Sequence, residues 1–298
     1  MKPISPQTLN QSLTSDSPPE LLDVLTEQQY QAQNLPKAIN ACVYEIDFIE
    51  SATEIVPDKR REVVAYGLSD EYEPRHFAYE KLESGGWTNV SILSGGLEAW
   101  KQADLPVLGN GQPSPAPDGA FAVDVEKSVV RWVGRNLVNQ HDGTVGLSEA
   151  TIELDRGRLV GGKAVIDMSS IHCRDIEDHS LAKVLVDHLR TGDFFLVDSY
   201  PTATFELGAA KPIDAAAPGS PNYRIEGTLN LRGRSAKLEF PALLGFSDTT
   251  IALQAHFDFD RVQWGSKYGS GRVFEALGQH LVNDFISISF QLAAPLKS

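Results

Sequence analysis

The sequence predicts two domains of different class: an α/β domain with a parallel sheet flanked by helices, then an antiparallel β-barrel with one helical insertion. Three observations carry this prediction. The first third of the chain alternates short apolar runs with helical patterns, which is typical of a parallel sheet wrapped by helices. The remainder alternates apolar and polar residues with a period of two, as half-buried antiparallel strands do. A stretch rich in proline and glycine separates the two patterns.

The boundary between the domains lies in the segment VLGNGQPSPAPDG at 107–119. Proline lacks a backbone donor and glycine is conformationally free, so this composition ends helices and strands and forms a semi-rigid linker. We therefore predict an α/β domain over 1–107, a linker over 108–119 and a barrel over 120–298.

Composition and charge exclude several classes of protein. The 298-residue chain is 42% hydrophobic and 22% charged, which is typical of a folded globular protein. Its net charge of −14 disfavours nucleic acid and anionic membrane surfaces as partners, since both attract clustered Lys and Arg. No apolar run reaches the ~18 residues of a membrane span. The start, MKPISPQ, lacks the apolar stretch of a signal peptide, so we expect a cytoplasmic protein, or a periplasmic one if a longer N-terminus was removed.

The elements of the α/β domain follow from its apolar runs. Strands are predicted at 21–24, 62–66 and 90–93, with a helix at 76–83. Because sites in such folds lie at the carboxyl ends of the strands, the loop after Tyr66 is where a functional site is expected.

The barrel is predicted from three strands that alternate cleanly, at 223–231, 251–259 and 286–292. Many half-buried antiparallel strands need a closed barrel or a sandwich to cover their edges. One helical stretch at 180–190 interrupts them, and strands are expected to resume at 193–195.

Four segments of the N-terminal domain are informative in their order and spacing: ISPQTL, LLDV followed by QQY, LPKAIN, and SGGLEAWKQADLPV, of which the last is the most specific. Through them nearly all of 4–107 resembles the rhodanese family. A rhodanese uses a cysteine thiolate at the start of the loop after its central strand, stabilised by backbone N–H groups and basic side chains. The resemblance therefore implies a sulfurtransferase fold with its site after the strand REVVAY.

This sequence departs from that pattern where the chemistry should be. Gly67 stands at the expected cysteine position, and the following loop carries three carboxylates, at Asp70, Glu71 and Glu73, which would repel an anionic sulfur donor. Leu25 and Asn34 replace the usual Arg and His of the family. We therefore expect no catalytic residue here. Two other side chains could act as nucleophiles, but neither is favoured. Cys42 follows LPKAIN at the end of the second strand, away from the Gly67 loop, and Ser69 lacks an evident base, since His76 at the start of a helix is expected to be solvated.

The second domain opens with the strand FAVD, followed by Ser128 and Trp132, and contains three more specific segments: LRTGDFFLVDSYPTATF, GTLNLRG and FDRVQWGSKYGSG. Through these segments, residues 121–295 resemble the YceI-like family of polyisoprenoid-binding, lipocalin-like proteins, although Lys127 stands where a His is common in that family. The resemblance implies a lipocalin-like barrel that takes a long isoprenoid or similar amphiphile into an apolar interior, without a cofactor.

The residues expected to line that interior occupy the apolar faces of their strands. Periodicity does not distinguish a ligand-lining residue from a packed core residue, so a barrel filled by its own side chains is the alternative. A polar end of the ligand would need groups at the barrel mouth, for which Arg131, His141 and His188 are candidates. The candidate lining residues are Trp132, Phe205, Leu229, Leu231, Phe257, Phe259 and Phe290.

Other site chemistry finds little support in the sequence. His172 and His179, with Asp175 and Asp178, match no tight zinc spacing, so no metal is expected. Cys42 falls in the first domain and Cys173 in the second, so a disulfide is not indicated. The sequence thus predicts a non-catalytic binding protein, with a homodimer as a mild expectation. The alternatives are an enzyme with an atypical sulfurtransferase or isoprenoid-related site, and a filled structural barrel.

Overall fold

A computed structural model describes residues 2–70, 74–109, 111, 116–247 and 249–296. The chain divides into two compact units, Met1–Pro115 and Ala116–Ser298. The predicted linker at 108–119 falls partly on residues 110 and 112–115, which lie outside the described residues. Of the rest, Leu108 pairs with Asn34 of the first unit through hydrogen bonds of 2.8 and 3.1 Å, and the first strand of the second unit begins at Gly119.

The first unit is a five-stranded parallel sheet with helices, as the sequence predicts. The strands follow the order β1-β5-β4-β2-β3, so β4 is central. All four residues of β4 and of β5 are buried, which is why β4 reads as a continuous apolar run and β5 as one interrupted only by Ser91. The elements are β1 (Lys2–Ile4), α1 (Pro6–Ser12), β2 (Glu20–Asp23), α2 (Glu27–Ala32), β3 (Ile39–Asn40), α3 (Phe48–Ile55), β4 (Val63–Tyr66), α4 (Pro74–Ser84), β5 (Val90–Leu93) and α5 (Gly96–Gln102).

The short edge strand β1 was not predicted from the sequence. The strand β1 is three residues long, and its Lys2 and Pro3 are exposed, so it carries neither an apolar run nor an alternation. It pairs in parallel with β5, Ile4 lying opposite Leu93. This strand therefore forms because it pairs with β5, and not because of a pattern in its own residues.

The second unit is a closed antiparallel barrel of eight strands, from β7 to β14, as expected for a lipocalin-like fold. The strand β8 pairs with β7 on one side and β9 on the other, which closes the ring. Closure leaves no edge strand in the ring. The strands are β6 (Gly119–Ala122), β7 (Val129–Arg135), β8 (Gln140–Asp155), β9 (Arg158–Cys173), β10 (Thr202–Pro212), β11 (Tyr223–Leu231), β12 (Arg234–Phe246), β13 (Thr250–Asp260) and β14 (Phe285–Pro295).

The opening strand of the barrel is broken into β6 and β7. The serine at the break explains why: the Ser128 hydroxyl donates to the Asp124 carbonyl at 2.7 Å and accepts from the Ala293 amide at 3.1 Å. Ser128 thus joins the turn between the two short strands to β14. Its neighbour Lys127 makes an ion pair with the Asp124 carboxylate at 3.5 Å.

Two tight hairpins connect strands by arginine–glycine pairs. Arg156 and Gly157 join β8 to β9, and Arg232 and Gly233 join β11 to β12, all four with positive φ. Such two-residue turns match the right-handed twist of the flanking strands but need left-handed backbone at both positions, so glycine is favoured.

The single helix of the barrel, α6 (His179–Arg190), lies within one residue of its predicted start. Asp178 caps it, its carboxylate accepting from the amides of Ser180 and Leu181 at 2.8 and 3.2 Å. The expectation that a strand resumes at 193–195 is wrong. These residues lie in a turn in which the Leu196 amide donates to the Thr191 carbonyl at 2.8 Å, and β10 begins only at Thr202. None of the described helices is long and apolar enough to cross a membrane.

Candidate functional site

The barrel contains a cavity of about 500 Å³ with mostly apolar walls. All eight strands of the ring contribute to its lining, because every strand turns alternate side chains inward. The aliphatic part of the lining comprises Val130, Val145, Leu147, Ile152, Leu159, Ala164, Ile166, Met168, Ile171, Leu185, Leu189, Ala203, Leu207, Ile225, Leu229, Leu231, Leu238, Leu253, Val282, Ile286, Ile288 and Leu292.

The seven residues chosen from the sequence as candidate lining residues all border this cavity. Leu231 and Phe259 are buried, at 5% and 7% exposure, so most of their surface packs against other side chains. The other five are only half-buried although they face the interior, which means that they keep uncovered surface inside the barrel. Contact with a ligand stays a prediction for all seven, which are Trp132, Phe205, Leu229, Leu231, Phe257, Phe259 and Phe290.

Four phenylalanines form a cluster on one wall of the cavity. Phe240 is at its centre: its ring stacks on Phe257 with centroids 4.3 Å apart, and it meets Phe205 at 5.6 Å and Phe290 at 5.8 Å. Phe240 was not among the residues predicted from the sequence. A signal for it exists, because Leu238, Phe240, Ala242 and Leu244 alternate along β12 with the same period as the residues of β11, β13 and β14.

Glycines make room for two of the large lining rings. A Cβ atom on Gly227 would lie 2.2 Å from the Phe205 ring, so a side chain there would push this ring inward. One on Gly143 would lie 2.5 Å from Trp132 and still closer to the His172 carbonyl oxygen, so Gly143 also permits the close approach of the backbone of β9.

One end of the barrel is tightly packed. Around the hairpins that join β8 to β9 and β12 to β13, a cluster of buried side chains fills the interior, including Leu154, Tyr223, Phe240, Leu244 and Ile251. We call this the closed end. The opposite end, the mouth, carries the longer connections: α6 between β9 and β10, and the segment 261–284 between β13 and β14.

Two histidines at the mouth are each held by an aspartate. His141 Nδ1 lies 2.9 Å from an Asp175 carboxylate oxygen, and His188 Nε2 lies 2.9 Å from Asp193. Both histidines line the cavity, whereas Arg131 is exposed on β7 and does not. In each pair the carboxylate fixes one ring nitrogen, leaving the other available to a polar group in the mouth. The His188 ring also packs edge-on against Tyr268, with centroids 4.8 Å apart.

A fully buried arginine organises the segment that closes over the mouth. Arg261, at 0% exposure, donates to four backbone carbonyls, at distances of 2.8–3.1 Å. Its guanidinium also lies 5.6 Å from the Phe194 ring. These bonds use four of the five guanidinium donors, and the Asp284 carboxylate lies 3.7 Å from the same guanidinium. Because a buried donor or charge without a partner costs free energy, these contacts explain how the charge is tolerated. The carbonyls belong to Ser266, Tyr268, Val282 and Asn283.

Beside Arg261, a second arginine bridges the two ends of the same segment. Arg272 donates to Asp260 at 2.6 and 2.9 Å and to Asp284 at 2.6 Å. Nearby, the Arg232 guanidinium donates to the carbonyls of Gly265 and Gly192. No spacing pattern in the sequence indicates these contacts of Arg272 and Arg232, and they were not predicted.

The other titratable candidates do not assemble a reactive site. No group of three His, Cys, Asp or Glu side chains that could hold a metal ion occurs among the described residues. Burial raises the pKa of the Cys173 thiol, whose sulfur lies 3.3 Å from Asp175, so this cysteine is poorly suited to act as a thiolate. Cys42 is half-buried in the first unit.

In the first unit, Gly67 is buried directly after the central strand β4. A Cβ atom there would meet nothing nearer than 3.9 Å, so the backbone has room for a side chain. In the loop after β4, the Asp70 carboxylate occupies the local hydrogen-bond donors: one of its oxygens accepts from the Gly95 amide at 2.6 Å and pairs with Arg75. Ser69 is buried and His76 half-buried in this region, while Glu71 and Glu73 lie outside the described residues.

The profile of the YceI-like domain matches residues 121–294, more than half of the chain. The chain belongs to the YceI-like family. This YceI-like protein also matches the rhodanese-like domain over residues 5–103, in agreement with the parallel sheet of its first unit. No curated protein matches it.

Solved structures resemble each unit of the YceI-like chain. BcnA of Burkholderia cenocepacia is 24% identical over 58% of this chain and 99% of its own, with a TM-score of 0.46. A polyisoprenoid binding domain from Saccharophagus degradans, implicated in plant cell wall breakdown, is 16% identical over 59% of this chain and 98% of its own, with a TM-score of 0.44. The rhodanese-like domain of the Alr3790 protein from Anabaena sp. is 27% identical over 40% of this chain and 89% of its own, with a TM-score of 0.34.

Proposed function

We propose that the barrel binds one long, apolar, chain-like molecule, such as a polyisoprenoid, and that the first unit does not transfer sulfur. The observation that carries the first part is the cavity of about 500 Å³ inside a ring of apolar side chains. Its volume is within the range of about 300–1,000 Å³ that small-molecule sites occupy. A filled structural barrel would have the same strands but no such space.

The walls supply the binding free energy without ionic chemistry. Each methylene group removed from water contributes about 0.8 kcal/mol, so roughly ten of them contribute about 8 kcal/mol before the entropy cost of association. An eight-stranded barrel leaves room inside for one small ligand, which favours a slender molecule. Such a site discriminates weakly between apolar chains of similar width.

The polar end of the ligand fits the mouth. His141 and His188 each have one nitrogen fixed by an aspartate and the other unassigned by that contact. When neutral, these second nitrogens accept a hydrogen bond from a hydroxyl group, and when protonated they donate one to an anionic group. A long-chain alcohol or its phosphate would therefore satisfy both the walls and the mouth.

For the first unit, two features support a non-catalytic role. Gly67 offers no nucleophile where the rhodanese resemblance expects a cysteine. The groups that would stabilise a thiolate, the Arg75 guanidinium and the Gly95 amide, already bind the Asp70 carboxylate. The unit would then serve as a support or as a docking module for a partner.

Native mass spectrometry of the purified full-length protein tests the binding proposal, followed by organic extraction and mass analysis of the extract. We expect a mass above that of the chain, and a long-chain molecule in the extract. In Leu229→Trp the indole would occupy the cavity, so the ligand should be lost. Asn230→Trp is the matched control, because this neighbouring side chain on β11 is exposed.

Protein at the mass of the bare chain that also refuses added prenyl alcohols would overturn the binding proposal. A ligand retained equally by Leu229→Trp and Asn230→Trp would place binding outside the cavity, which also contradicts it. Sulfur transfer from thiosulfate to cyanide by the unmodified chain would overturn the non-catalytic role of the first unit.

A further inference from the structure

Large apolar side chains are exposed on all three segments that border the mouth. These segments are the β7–β8 connection, the helix α6 and the segment 261–284, and each contributes residues to the cavity lining. The exposed fractions range from 43% at Val273 to 70% at Val138. We call these residues the mouth rim: Leu137, Val138, Leu181, Val184, Val273 and Phe274.

Direct contacts join the three segments. Asn136 in the β7–β8 connection bridges to Val282, and the Asn283 amide donates to the Arg135 carbonyl at 2.8 Å. The segment 261–284 meets α6 through the ring contact of Tyr268 with His188. The rim residues therefore lie around one opening instead of being scattered over the barrel, and clustered exposed apolar surface indicates an interaction site.

The helix α6 connects the rim with the interior. Leu181, Val184, Leu185 and His188 follow the spacing i, i+3, i+4 and i+7, which places them on one face of the helix. Leu185 and His188 line the cavity, whereas Leu181 and Val184 are 59% and 66% exposed. One stripe of side chains thus leads from the cavity to the outside.

We propose that the mouth rim docks on the surface of a neutral lipid bilayer, from which the barrel takes up its ligand. This inference rests on the proposed function, because a long apolar ligand is dissolved in a lipid phase before it is bound. The continuity of the stripe on α6 with the cavity gives such a ligand an apolar path between bilayer and barrel. Side chains that enter the interface without spanning it are sufficient for reversible attachment.

Charge determines which bilayer the rim fits. The chain carries a net charge of −14, which anionic lipids repel. Of the five Lys and Arg side chains on α6 and the segment 261–284, one is buried and two are neutralised by ion pairs. Arg261 is the buried one, Lys183 pairs with Asp187 at 2.5 Å, and Arg272 pairs with Asp260 and Asp284, which leaves Arg190 and Lys267 as the remaining cations. A phosphatidylcholine surface has no net charge, so it does not repel the acidic chain and needs no unpaired cation on the rim.

The test measures how fast the full-length protein extracts a fluorescent polyprenol from phosphatidylcholine vesicles. We compare wild type with the double variant Leu181→Ser/Val184→Ser and with Phe274→Ser. The matched controls are Val160→Ser and Phe246→Ser, which alter residues of similar exposure, 53% and 41%, away from the mouth, on β9 and at the closed end of β12. Binding of a short, water-soluble prenyl alcohol, measured without vesicles, reports on the cavity alone.

We expect the rim variants to extract polyprenol on the order of tenfold more slowly, since apolar area no longer enters the lipid, while the control variants match wild type. All variants should bind the short alcohol equally. Adding phosphatidylserine to the vesicles should slow wild-type extraction.

Three results would overturn the inference. Rim variants that extract as fast as wild type, with short-alcohol binding intact, would refute docking and leave the proposed function standing. Rim variants that change only the oligomeric state in sedimentation would make the rim a self-association face. A wild-type chain that does not bind the short alcohol at all would remove the proposed function, and the docking inference with it.

Discussion

Replacing Arg261 by methionine should lower the free energy of unfolding of the barrel by about 4 kcal/mol, in the middle of the ~3–5 kcal/mol measured when a buried charge pair is broken. Methionine keeps an unbranched chain of comparable reach, so the variant tests the guanidinium rather than the volume. Four backbone carbonyls lose their donor, and each such bond from a charged group contributes about 1.5–3 kcal/mol. Water entering at the mouth would offset part of that loss.

Hydrogen exchange of the amides of residues 251–255 on β13 measures this free energy within the full-length protein. These residues pair with both β12 and β14, so their amides open only when the barrel unfolds. At about 2–4 °C per kcal/mol for a domain of this size, the barrel transition in calorimetry should fall by roughly 8–16 °C. Arg156→Met is the control: Arg156 is 83% exposed and makes only a surface ion pair, so its loss should cost less than about 1 kcal/mol.

Equal destabilisation of the barrel by Arg261→Met and Arg156→Met would refute the stabilising role of the Arg261 guanidinium. So would an Arg261→Met variant whose unfolding temperature falls without faster hydrogen exchange in the segment 261–284. In that case the arginine would contribute to the core but would not hold the mouth.

Phe257→Ala removes the ring that stacks on Phe240 and should widen the cavity. The free energy of unfolding, measured by chemical denaturation, should fall by about 3 kcal/mol, and the affinity for a ring-bearing prenyl analogue should rise. Phe246→Ala should change neither quantity. Gly67→Cys should fold normally, since its Cβ has room. Its thiol should react with iodoacetate more slowly than the thiol of Gly67→Cys/Asp70→Asn, because the Asp70 carboxylate disfavours the thiolate. Equal rates would contradict this prediction. Burial raises the pKa of Asp23 from 3.8 to about 6, so the folded first unit binds more protons than the unfolded chain between these values. Its free energy of unfolding should therefore fall as the pH rises through about 4 to 6 and then level off. Asp23→Asn should flatten that slope in urea titrations, and an unchanged slope would assign it to another group.

Period-two alternation predicted three of the barrel strands, β11, β13 and β14, and their inward faces, because it reports directly which side of a strand is buried. It did not distinguish the buried Phe259 from the half-buried Phe257, since both lie on the same face of β13. That difference depends on what lies opposite across the barrel, which a single strand does not encode. The turn after α6 was predicted as a strand for a related reason: its apolar residues, Phe194 and Val197, are buried by the mouth and not by a sheet.

The mouth was the least predictable part, and its construction explains why. Arg261 and Trp264 belong to the segment that carried the family resemblance, yet both bind backbone carbonyls: Trp264 Nε1 donates to the Leu229 carbonyl at 2.9 Å. Every residue offers a carbonyl, so no residue type in the partner segments marks the contact. A recognisable motif can thus owe its composition to holding a loop in place. The cavity then depends on two layers: apolar strand faces that can be predicted from alternation, and a clamp of buried polar side chains that only the folded chain brings together.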